Sequence, residues 1–447
     1  MHDVVIRNVQ LLDGTGQDAF AGDLAVSEGR IADIGLVGSG RVEIDGKGAT
    51  LAPGFIDTHA HDDGAFFRHP DMGFKLAQGV TSVVSGNCGF SAIPADPAKD
   101  SAAASGGITT LCCLPDTSPV IDTPAVAELI RLRAAHTGKA RVVTLGALTR
   151  NLDGEHLSEM AALRKAGCVG VSNAHRPMLN NLVLRRALEY AATFNLTVYL
   201  LPNDHALANE GCAHEGQVAT RIGLPAIPEA AETAAVAHLL AVIEQVGVRA
   251  HFCRLTTGRA ARMIARARYD GAPVTADVAI PYLYLSENDL SDFDSQCHVI
   301  PPLRTIEDRQ QLRAALQSGT IQAICSDHQP HEPDAKMGPF PATEPGISGL
   351  DSLLPLSLRL VEEQVLDLPG LIRCLTIAPA RILGLPYGSL SVGASADICI
   401  FNTDMTWMLD NSNLRSQGHN TPFAGWEMRG RVVHTLLEGR VVYSLRS

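Results

Sequence analysis

Residues 54–63 read GFIDTHAHDD, an apolar run that closes on two histidines two positions apart. Such a run reads as a strand, and side chains at i and i+2 leave a strand on the same face. His59 and His61 can therefore reach one divalent ion together. Two imidazoles do not complete a metal site, so the other ligands have to come from elsewhere in the chain.

The middle of the chain alternates strand-like and helix-like segments. After GFIDTHAH the candidate strands are GITTLCCLP, ARVVTLGALT, GCVGVSN, LTVYLLPN, VRAHFCRLT, PVTADVAI and IQAICSDH, with helical stretches such as PAVAELIRLRAAH and NLVLRRALEYAATF between them. Eight β-α units predict an α/β protein built on a TIM-type (β/α)8 barrel, whose site lies at the C-terminal strand ends. Short strands with Gly and Asp turns occupy both chain ends, so residues 1–54 plus 385–447 are expected to build one small β-sandwich beside a barrel over 55–384. One strand is surplus. GVTSVVSGNC at 79–88 and GITTLCCLPD at 107–116 share a pattern, start 28 residues apart, and compete for the second barrel position. With room for only one of them, a seam or insertion is expected at about 62–106.

Composition narrows the class. The chain has 447 residues, 46% of them hydrophobic and 19% charged, which fits a soluble globular protein too long for one small core. A net charge of −12 without a basic run argues against nucleic acid. The N-terminus lacks a signal-peptide pattern and no apolar stretch reaches membrane-spanning length. Ten scattered cysteines without a CxxC pair read as mostly buried thiols of a reducing compartment, so a cytoplasmic location is expected.

Longer motifs then resemble two branches of the amidohydrolase superfamily. Residues 1 to about 95 resemble D-aminoacylase (N-acyl-D-amino-acid deacylase) through APGFIDTHAHDD and PDMGFKLAQGVTSVVSGNCGFS. From about 101 to the end, over three-quarters of the chain, it is similar to class I dihydroorotase through SGGITTLCCLPDTSPVIDTP, CAHEGQVATRIGLPAIPEAAE, PPLRTIEDRQQLRAAL, ICSDHQPH and GISGLDSLLPL. The resemblance implies one or two divalent ions that activate water and polarise a carbonyl. It also implies His59 and His61 as ligands, and Asp327 as a further ligand and the catalytic proton shuttle.

Measured against that family, the middle of the site is altered. The acidic bridge after strand four is Ser172-Asn173, the strand-five ligand position holds Leu201, and the strand-six position holds Arg254. A guanidinium keeps its proton and cannot ligate a cation. Arg254 can instead pair with Asp327, supplying the charge a metal would bring. His328 and His331 are expected to support the neighbouring loop by hydrogen bonds, and the Pro-rich 331–346 to cross the barrel mouth. Substrate positions differ too: Pro115-Asp116-Thr117 replaces Pro-Asn-Thr, Ile300 replaces an asparagine, and Asp63 replaces the carboxylate-binding arginine. In the deacylase family the cysteine matching Cys88 is a ligand. His59, His61, Cys88 and Asp327 would then make a partial zinc site, if 79–88 took the second-strand position. The resemblance extends to the non-catalytic dihydroorotase-like protein of pyrimidine synthesis, which implies an oligomeric assembly with aspartate carbamoyltransferase. The other reading is an active amidohydrolase cleaving a cyclic amide or an N-acyl-D-amino acid.

Overall fold

Alternating apolar and polar residues shape the N-terminal segment into His2–Leu11 (β1), Phe20–Ser27 (β2), Arg30–Gly35 (β3), Gly40–Asp45 (β4) and Thr50–Pro53 (β5). The structure, a computed structural model, describes residues 1–61, 71–85, 108–137 and 141–445. Nine strands follow in the barrel wall: Phe55–Ala60 (β6), Val80–Ser85 (β7), Thr110–Cys113 (β8), Arg141–Ala147 (β9), Cys168–Ser172 (β10), Thr197–Leu200 (β11), Ala250–Phe252 (β14), Val274–Ala279 (β15) and Ala323–Cys325 (β16). Between β11 and β14, Ala213–His214 (β12) and Ala226–Ile227 (β13) form a separate parallel pair. Ile398–Met408 (β17), Glu427–Leu437 (β18) and Arg440–Ser444 (β19) end the chain.

The eight strands read from the sequence are all in the wall, and the surplus run is there as well. This corrects the expectation that the barrel has room for only one of the two. β7 pairs parallel with β6 on one side and with β8 on the other, in the register Ser82↔Thr110 through Ser85↔Cys113. Every residue of both strands is buried. A buried apolar strand needs ladder partners on both edges, because unpaired backbone groups inside the protein are costly. Inclusion of both runs satisfies that need where ejection of either would not. Gly79 opens β7 with φ +74°, and a Cβ there would strike Cys399 of the terminal sheet.

Helices return the chain between successive parallel strands, as that topology requires. One spans Asn181–Thr193 after β10. Its N-cap Asn180 accepts from the Leu182 and Val183 amides, and Leu184, Ala187, Leu188 and Ala191 form its buried face. The two chain ends meet as expected, in one eight-stranded sheet where β5 pairs β1 on one side and β17 on the other. That sheet encloses its own apolar cluster, including Ile6, Leu24, Leu51, Ile398 and Leu436. The nine described cysteines are free, and all but Cys253 are buried. Among the described residues no helix is long and apolar enough to cross a membrane.

Candidate functional site

The barrel closes where its last strand returns to its first. The Asp327 amide donates to the His59 carbonyl at 3.0 Å, and the His61 amide to the His328 carbonyl at 2.9 Å. Beneath this seam Asp57 accepts from Ser326 N (2.9 Å) and Oγ (2.5 Å) and pairs with the buried Lys75 Nζ at 3.2 Å. The THAH and SDH segments are therefore interlocked through their backbones as well as their side chains.

On this seam sits a trio of polar side chains. Asp327 Oδ1 lies 3.2 Å from His61 Nε2 and 3.6 Å from His59 Nε2. One ligand atom from each of His59, His61 and Asp327 falls within 4.8 Å of the others, a grouping that can hold a metal ion. From the end of β14, Arg254 Nη1 donates to Asp327 Oδ1 at 3.0 Å and Oδ2 at 3.3 Å. The ion pair expected between these two residues is present, and both are buried. Burial opposes the charge on Asp327, but the guanidinium and the His61 hydrogen bond outweigh it and hold the carboxyl far below its ordinary range. Burial also pushes His59 well below the usual imidazole value, and Arg254 pushes it further. Near neutral pH the cluster is thus a carboxylate, a neutral His59 imidazole and a permanent cation.

Two further residues set Arg254 in place, and the sequence did not single out the first of them. Asp277 on β15 accepts the Arg254 amide at 2.6 Å, His251 Nε2 at 3.1 Å and the Thr58 hydroxyl at 2.8 Å. The signal was an acid in the middle of the apolar run PVTADVAI. Ile300, at a position where the family resemblance implies an asparagine, contributes only its carbonyl, 3.4 Å from Arg254 Nη1. Arg254 and Asp327 both hold left-handed backbones, with φ of 52° and 46°. For residues other than glycine such conformations persist only where the surroundings enforce them.

Among the described residues, Asn173 and Leu201 on the opposite side of the mouth offer no comparable donors. Asn173 Oδ1 accepts from the Thr149 hydroxyl at 2.7 Å, and its Nδ2 donates to the Arg176 carbonyl at 3.0 Å. Leu201 presents hydrocarbon. It lines a cavity of about 20 Å³ with Thr58, His59, Tyr199, His251 and His175, room for about one water. His175 was passed over in the sequence although it stands two positions beyond Asn173. It follows Ala174, another left-handed residue at φ 49°. Cys88 and Asp63 lie outside the described residues. His331 Nε2 meets the Pro345 carbonyl at 2.9 Å and His328 Nδ1 accepts the Leu350 amide at 3.3 Å, so both support the loop as expected. A metal is therefore offered three donors from the seam, but their carboxylate is already engaged by a cation of the chain itself. The residue set does not fit a divalent ion while Arg254 stands where it does.

The family model "Amidohydrolase family" matches residues 50–442. The chain belongs to the amidohydrolase family. Within it, the chain is 45% identical to a dihydroorotase-like protein of Pseudomonas aeruginosa, covering 98% of this chain and 99% of that protein. It is 37% identical to a dihydroorotase of Syntrophotalea carbinolica, over 99% of both chains. These alignments run almost end to end, through the stretch that resembles D-aminoacylase, and lend that resemblance no support. Among solved amidohydrolase folds, L-hydantoinase from Arthrobacter aurescens superposes with a TM-score of 0.77 at 22% identity, covering 99% of this chain and 96% of that one. Dihydropyrimidinase from Brevibacillus agri gives 0.77 at 20% identity, covering 98% and 95%. At that identity the likeness carries the barrel fold and nothing finer.

Proposed function

We propose that this chain is a catalytically degenerate dihydroorotase-like protein of pyrimidine biosynthesis that serves as a structural partner of aspartate carbamoyltransferase in an oligomeric assembly. The observation that carries the reading is Arg254, buried, 3.0 Å from Asp327. A guanidinium there satisfies the carboxylate that would otherwise ligate an ion, and two like charges do not share so small a space. Loss of ligand groups at Asn173, Leu201 and Arg254 with a full hydrophobic core agrees with selection for folding without chemistry. Three measurements test it: zinc content of the purified protein, dihydroorotate hydrolysis with added zinc, and co-elution with the carbamoyltransferase. Co-elution without metal or turnover is expected. Stoichiometric zinc with turnover would end this reading.

A second reading keeps the chain as a metal-dependent amidohydrolase acting on a cyclic amide or an N-acyl-D-amino acid, with Asp327 as acid and base. It is favoured by the clustering of His59, His61 and Asp327, and the same zinc and turnover measurements decide it.

A further inference from the structure

The join between the first and last strands of the barrel has little ladder and several charged side chains. Adjacent strands elsewhere in the wall share ladders, as in the three-residue registers between β14 and β15 and between β15 and β16. Among the described residues β16 and β6 share a single backbone bridge, Ala60↔His328, with the two backbone bonds that flank it. Side chains must supply what the ladder does not. Asp57 ties the lower part of the seam to Ser326, and Asp327 ties the upper part to His59 and His61.

Arg254 is placed on that upper tie with care. Asp277 holds its amide, its backbone is left-handed, and Nη1 reaches both Asp327 oxygens. Its Nε is buried and has no hydrogen-bond partner among the described residues. The guanidinium is thus incompletely hydrogen-bonded yet fully set against the carboxylate, which marks charge rather than hydrogen-bond satisfaction as its contribution. Without it, Asp327 would be a buried carboxylate left beside His59 and His61 with the guanidinium gone, and buried charges need a partner.

We infer that Arg254 is the resident cation of this barrel, bracing the seam between its first and last strands, and that it covers a latent metal site made of His59, His61 and Asp327. The inference rests on the degenerate-site reading above. The guanidinium and a divalent ion are alternatives for one carboxylate, so shortening residue 254 exchanges one for the other.

The test uses the full chain with Arg254→Ala, Arg254→Lys and the double variant Arg254→Ala/His59→Ala, scanned thermally with and without zinc chloride. Wild type is expected to melt at one temperature regardless of zinc. Arg254→Ala is expected to melt roughly 5–10 °C lower, as for a broken buried pair, to bind one zinc, and to regain at least half the loss. The double variant is expected to show no such rescue, and Arg254→Lys, which keeps a charge, to stay nearer wild type than Arg254→Ala. Should Arg254→Ala not fold, its refolding yield with and without zinc gives the same answer. An alanine variant that binds no zinc, or a lysine variant as impaired as alanine, overturns the inference. Either result leaves the non-catalytic reading intact, since that is judged on wild-type turnover and co-elution.

Discussion

The two sides of the barrel mouth are built differently. Where β16 meets β6, His59, His61 and Asp327 remain together, and their backbones carry the bonds that close the wall. Across the mouth, β10 and β11 end in Asn173, hydrogen-bonded to Thr149 and to the Arg176 carbonyl, and in the apolar Leu201. The difference follows from what else each residue does. A side chain at the end of an already paired strand can change without disturbing the ladder. A side chain at the seam also holds the closure. The seam position thus gives His59 and His61 a structural use beside any chemistry.

The largest expected effect comes from the seam. Asp327→Asn leaves a buried guanidinium without its counter-charge and is expected to cost about 3–5 kcal/mol, read from urea unfolding. A loss below about 1 kcal/mol would show that the pair behaves like a surface contact and would erase the contrast. Across the mouth the cost is smaller. Asn173→Leu removes the acceptor of the Thr149 hydroxyl and the donor to the Arg176 carbonyl, an expected loss of about 1–3 kcal/mol. A cost equal to that of Asp327→Asn would mean that both sides brace the fold alike.

Away from the mouth a pH dependence is expected at two buried imidazoles. Burial, with Lys336 beside it, lowers His298 to about 4, and burial with Arg304 lowers His214 to about 4. The unfolded chain takes up these protons near the ordinary value of 6.5 and the folded chain only near 4. Stability is therefore full above about 6.5 and falls as pH drops toward about 4. His298→Gln, measured by urea unfolding across that window, is expected to flatten the slope. An unchanged slope would remove His298 from the account.

Much of this was legible in the sequence because it is local. Period and punctuation marked all eight of the expected strands, the i, i+2 spacing put His59 and His61 on one face, and the family resemblance supplied Asp327. At Arg254 the guanidinium, standing where the resemblance marks a metal ligand, suggested a pairing with Asp327 in place of the metal charge, and that pair is present. What escaped was set by tertiary pairing. A strand's right to a place in the wall depends on its neighbours' free edges, so the choice between 79–88 and 107–116 could not be made from either run alone. Asp277 grips an amide of the neighbouring strand and His175 faces a cavity lined by many segments; neither contact has a signature in linear spacing.

The seam has a kinetic consequence. Its partners, His59 and Asp327, stand 268 residues apart by number (327 − 59), and contacts of such long range are expected to form late in folding. Groups that lock only after the rate-limiting step leave the refolding rate nearly untouched and slow the escape from the native state. Arg254 would then act as a latch on lifetime: without it the chain should fold about as fast and open sooner, baring two strand edges to any neighbouring chain able to pair with them.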